Sequence, residues 1–160
     1  MGEWLTALEG TGLAQALRHS VWVYPLVNAA HLLGVALLLG AIIPLDLRLL
    51  GAWPSVPVSP LWRVLTQTAT VGLVLAITFG ALLFIARASE YVASGLFLTK
   101  MLIVAAATVN AVALRVIAGG ESSLLGTARG KLPSYVRIAG GVSLFAWLTA
   151  LILGRLVGYF

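Results

Sequence analysis

Four stretches of this chain, about 21–43, 65–86, 96–118 and 136–157, each run for roughly twenty residues with scarcely a charge. A helix needs about 20 apolar residues to cross roughly 30 Å of hydrocarbon. Within lipid only a helix or a closed barrel satisfies its own backbone hydrogen bonds. Barrel strands are about ten residues long and alternate in polarity, and nothing here alternates. The expected fold is therefore all-α: an integral membrane four-helix bundle, antiparallel and up-down, forming a single transmembrane domain over 1–160. Composition agrees. The charged fraction is 9% and the hydrophobic fraction 61%, whereas soluble domains carry about 25% charged residues to meet water.

The segment 3–18 differs in kind. Trp4, Leu5, Leu8, Leu13 and Leu17 are separated by Glu3, Glu9 and Gln15. This suits a short amphipathic interfacial helix, or two broken near Gly10–Gly12. Glu3 and Glu9 precede the first basic residue, Arg18, which is the wrong order for a signal peptide, so the first span is expected to be retained. Residues 51–60 hold three prolines and read as a turn-rich connection. The connection at 87–95 is short, which makes spans two and three a tight hairpin, and 119–134 is polar and Gly-rich.

Basic residues set the expected orientation. Arg48, Arg63, Arg115, Arg129, Lys131 and Arg137 flank the two longer loops, against Arg18, Arg87 and Arg155 on the other side. Those loops are then cytoplasmic and both termini periplasmic, in a bacterial inner membrane. The net charge of +5 lies beside apolar spans, so its expected partner is the lipid headgroup layer and not nucleic acid. With no cysteine, disulfides, iron–sulfur clusters and thiolate metal sites are excluded.

Helices in lipid associate through close packing of small residues. Gly72, Ala76 and Gly80 form such a stripe on the second span. Ala30 with Gly34, and Ala36 with Gly40, do so on the first, and Ser143, Trp147, Ala150 and Gly154 on the fourth. The same stripes suit a homo-oligomer interface.

Polar residues at membrane depth are the best functional pointers. Tyr24, Asn28 and His31 are spaced to share one helical face. His31 lies about 15 Å from the start of its span and Lys100 about 7 Å into the third. Thr78 and Trp147 reach comparable depth. These six residues are the candidate binding set, with His31 as the candidate metal ligand. An imidazole at that depth needs a partner: an interhelical hydrogen bond, a metal or haem iron, or a substrate. His19 is twelve residues from His31, about 18 Å along a helix, so the two cannot grip one haem from both faces; a haem here would need a non-His sixth ligand, such as the Met101 sulfur, an open face, or a second subunit. Asp46 is expected to pair with Arg48, Arg63, Arg115 or Arg137 as an interfacial anchor. No Ser–His–Asp set, carboxylate pair or phosphate-cradling glycine loop is present, which argues against a hydrolase or transferase.

The run from His19 to Gly51, with Tyr24-Pro25, His31-x-x-Gly34 and Asp46-Leu47-Arg48-Leu49-Leu50-Gly51, resembles a family of small uncharacterised bacterial four-span membrane proteins. Lys100-Met101 and Asn110 on the third span, and Ser143, Trp147 and Gly154-Arg155 on the fourth, fit the same pattern, so the resemblance covers about 19–159. More distantly the chain is similar to the copper-resistance D-type membrane domain and to b-type cytochrome bundles. Family members often carry a glutamate at the position of Asn28, and the cytochrome bundles have several intramembrane histidines where this chain has one. The resemblance implies a four-span bundle and, through its distant branch, haem b or copper near His31 for electron transfer or metal handling. Two other functions stay open: binding or transport of a small molecule in a polar intramembrane pocket, and service as an accessory subunit of a larger membrane complex.

Overall fold

The computed structural model describes residues 3–117 and 132–159. They form seven helices: α1 (Glu3–Glu9), α2 (Gly12–His19), α3 (Val23–Leu50), α4 (Val58–Ala86), α5 (Ala88–Ala93), α6 (Gly95–Ile117) and α7 (Ser134–Leu156). Four of these, α3, α4, α6 and α7, are long and apolar enough to cross a membrane. Their outer faces are studded with exposed Leu26, Leu32, Val74, Leu102, Val109 and Phe145, as befits helices whose solvent is lipid. Exposed Trp4, Trp22 and Tyr159 at one end and Trp53 and Tyr135 at the other lie where aromatic belts meet the headgroups. The chain is a multi-pass membrane bundle.

Two spans are longer than the hydropathy suggested. The first apolar run was expected to end at residue 43, before Pro44, Asp46 and Arg48, yet α3 continues to Leu50. A proline inside a membrane helix is tolerated because neighbouring groups re-satisfy the freed carbonyl. Gly51 then ends the helix with φ 114°, and the Gly51 and Ala52 amides donate back to the Arg48 and Leu47 carbonyls. This left-handed cap suits glycine because it has no Cβ to clash. The Arg48 side chain donates to the carbonyls of Val56 (2.7 Å) and Pro54 (3.3 Å), tying down the proline-rich loop. The polar connection at 119–134 lies outside the described residues except for its last three.

The N-terminal segment forms two helices, broken at Gly10–Thr11. Thr11 caps α2 by accepting from the Ala14 amide. Buried Leu5, Ala14 and Leu17 face the bundle, and α1 and α2 pack on α4, α5 and the start of α3. The latch is Glu9. Its carboxylate accepts from the Ser89 amide at 2.8 Å and the Ser89 hydroxyl at 2.7 Å, and these bonds hold its pKa below the usual carboxylate range. A group depressed on folding contributes stability above its unfolded pKa and loses it as pH falls through the folded value. Acidification is therefore expected to free α1 and α2 from α5 while the four spans stay intact. Faster amide exchange in residues 3–19 at acid pH, matched at neutral pH by Glu9→Gln, checks this.

Packing among the spans is unequal. The α3–α4 interface is the most extensive, followed by α6–α7 and then α3–α7. Among the described residues, α4 and α6 nowhere bring their Cα atoms within 8 Å of each other, although they are joined by a connection of only eight residues, 87–94. Side chains bridge that seam. Trp62 and Leu114 join Leu45, Leu49 and Val136 in one buried cluster, and Leu38, Leu39, Ile42, Ala107 and Trp147 form a second. At the end of the bundle that carries α1 and α2, Phe84, Tyr91 and Phe97 stack with ring centroids 5.0–6.2 Å apart.

Candidate functional site

The stripe Gly72–Ala76–Gly80 faces α3, and its partner is the stripe His31–Gly34–Leu38. A Cβ on Gly34 would stand 2.5 Å from the Ala76 nitrogen and 2.9 Å from the Gly72 oxygen. Backbone meets backbone here, which only glycine permits. The other small pair expected on this span has no such role: Ala36 is exposed and nothing lies near Gly40.

This close approach positions His31. Its ring lies over Gly80, with Cε1 3.0 Å and Nδ1 3.2 Å from where a Cβ would be. Nδ1 is 2.8 Å from the Ala76 carbonyl oxygen. A carbonyl only accepts, so Nδ1 carries the hydrogen and donates. In the neutral ring the lone pair then belongs to Nε2. The bond clamps α3 to α4 and also fixes the tautomer and aim of the imidazole.

Lys100 comes from the opposite pair of helices. Its aliphatic chain lies on Gly154 of α7, with Cε and Nζ each 3.4 Å from a hypothetical Cβ there. It occupies the inward face of α6, one turn from Val104 and two from Ala107, both part of the core. Lys100 and His31 lie within electrostatic reach of one another. Among the described residues the Lys100 amine has neither an ion pair nor a hydrogen bond. By the ideal helical rise His31 is about 12 Å from the start of α3 and Lys100 about 7.5 Å from the start of α6, both toward the end of the bundle that carries α1 and α2.

The other four candidates are placed differently. Tyr24 is half-buried and reaches Tyr91 in the aromatic stack; burial and then the Tyr24 phenol push the Tyr91 pKa up. Asn28 and Thr78 are exposed on the outer surfaces of α3 and α4, so their side chains do not join His31 and Lys100. Trp147 is buried against Leu39 and Ile42, below it. Met101 is 45% exposed on the lipid side of α6, away from the Lys100 face, and does not oppose His31. The aromatic stack was missed; the signal available was Phe84, Tyr91 and Phe97 bracketing a short connection.

No three His, Cys, Asp or Glu side chains converge among the described residues. Asp46 also departs from expectation. It forms no ion pair with Arg48, Arg63, Arg115 or Arg137; among the described residues the salt bridge formed is Arg87–Glu90, at 2.7 Å on the surface. The extra turns of α3 carry Asp46 inward instead of leaving it at the interface. The chain matches no protein-family model, no curated protein and no solved structure.

Proposed function

We propose that this protein is a cofactor-binding module of the bacterial inner membrane that holds a b-type haem at His31 and serves electron transfer. The observation that carries this reading is the hydrogen bond from His31 Nδ1 to the Ala76 carbonyl, which leaves Nε2 free to ligate and stiffens the ring behind it, as ligating histidines require. The donor set favours haem over copper. A copper ion needs several protein ligands, whereas haem brings four nitrogens of its own and needs one imidazole. Lys100 would be the counter-charge for a propionate. Haem, when bound, supplies one-electron chemistry. The protein supplies the ligand, its orientation, a cation and the exclusion of water.

A second reading, a small-molecule site without metal, is favoured by the free Lys100 amine. It suits an anionic or carbonyl-bearing ligand. As a member of the four-span family it resembles, the chain would sit with both termini in the periplasm, surrounded by lipid and free to join a homo-oligomer or a larger complex. A reporter fused after Phe160 and active only in the cytoplasm would invert that topology.

The test is an absorbance spectrum of detergent-purified protein expressed with ample haem, oxidised and dithionite-reduced. We expect a Soret band that shifts on reduction and is lost in His31→Ala, while Lys100→Met keeps the band with weaker haem retention. A colourless protein that also fails to take up added haem sinks the haem reading and leaves the small-molecule one.

A further inference from the structure

The other end of the bundle holds a polar group that the His31 site does not use. Asp46 is 4% exposed, and Ser143 and Trp147, one turn apart on α7, are 6% and 5% exposed. The Asp46 carbonyl is 3.5 Å from where a Cβ on Gly140 would stand, so α7 crosses α3 closely at this level. Side chains tilt toward their helix N-terminus, which for Asp46 means away from the loop and into the bundle. Ser143 is the polar side chain presented to its carboxyl. Among the described residues Asp46 Oδ2 has no hydrogen-bond partner, and neither does Trp147 Nε1.

A carboxylate buried without a cation is costly, because neither water nor a counter-charge compensates it. Among the described residues no cation pairs with Asp46. On its own helix Arg48 is turned to the loop carbonyls. On α7 Arg137 donates to the Leu50 carbonyl at 3.4 Å. Arg63 of α4 and Arg115 of α6 are exposed. Asp46 is flanked on α3 by Leu45 and Leu49, which belong to an apolar cluster with Trp62, Leu114 and Val136. Glu121, Arg129 and Lys131 lie outside the described residues.

We propose that Asp46 is a proton-binding site at the loop end of the bundle, occupied in the packed state. The proton sits on the carboxyl and is exchanged with water at the loop end when α3 and α7 part. Releasing it leaves a bare charge between the two helices, so proton occupancy and α3–α7 packing are coupled. The site is separate from His31: the two are fifteen residues apart, about 22 Å along α3, with the apolar Leu38, Leu39, Ile42 and Ala107 between them.

Asp46 is the sole aspartate of the chain, so carboxyl-labelled 13C-aspartate reports on it alone in the unmodified protein. The experiment is infrared spectroscopy of labelled protein in lipid vesicles at neutral pH. We expect the isotope-sensitive signal to be mostly the C=O stretch of a protonated acid. In Ser143→Ala, which removes the hydroxyl presented to the carboxyl, that signal should persist undiminished. Isotope-sensitive intensity confined to the carboxylate stretch at neutral pH overturns the proposal and makes a bound cation the occupant of Oδ2.

Discussion

Replacing Gly72 with valine is expected to break the α3–α4 pair and with it the bundle. A Cβ there would stand 2.8 Å from the Gly34 carbonyl oxygen and closer still to the Leu38 nitrogen. Both obstacles are backbone, so no rotamer change relieves them and the helices must separate. Overpacking a core costs about 1–3 kcal/mol and occasionally more; this collision belongs at the upper end or above. Separation also withdraws Ala76 and Gly80 from His31, so one substitution far from any ligand should weaken the site too. The control is Gly40→Ala, at a glycine with nothing within 4 Å, where better helix propensity predicts no loss and up to about 1 kcal/mol of gain. Unfolding in mixed micelles followed by circular dichroism reads both, and a Gly72→Val protein as stable as the wild type would show that the helices do not cross here.

Trp147→Ala should have the next largest effect. The indole fills the space between α7 and Leu39, Ile42 and Ala107. Large-to-alanine changes at such positions cost about 3–5 kcal/mol. In lipid the loss is mainly of packing contacts, since the surrounding tails are as apolar as the core. Trp147→Phe keeps one aromatic ring and removes the N–H. Among the described residues Nε1 has no partner, so deleting it removes an unsatisfied donor and offsets part of the lost packing, and the cost should be well below that of Trp147→Ala. A large loss in the Phe variant, measured by the same unfolding assay, would mean that the indole N–H holds something.

Much of this was legible in the residues. Four apolar runs and a lipid-starved charge content determine a helical membrane bundle, because no other backbone arrangement survives in hydrocarbon. The Gly72–Ala76–Gly80 stripe and the Ser143–Trp147–Ala150–Gly154 stripe point to real helix contacts, since a four-residue spacing of small side chains nearly repeats the helical turn. What a stripe does not encode is which neighbour it meets. Asn28 and Thr78 match His31 in depth, but depth is only one coordinate. Angle around the helix axis depends on how α3 leans on α4, and that is decided by the glycines. Asp46 was misjudged for a related reason. Polarity beside Pro44 looks like the end of a span, yet a helix with buried neighbours on both sides runs on past both.

The wide seam between α4 and α6 says something about time. Helices adjacent in the chain usually finish against each other; here each instead finishes against its other neighbour, α4 on α3 and α6 on α7. The first hairpin is thus complete by residue 86, before the third span has left the ribosome. The second is assembled only when the last span arrives, and it docks through α7. The spans pair as two hairpins, α3 with α4 and α6 with α7, and a chain cut at Ser94, in the short connection between them, should yield two fragments that insert separately and find one another in the bilayer.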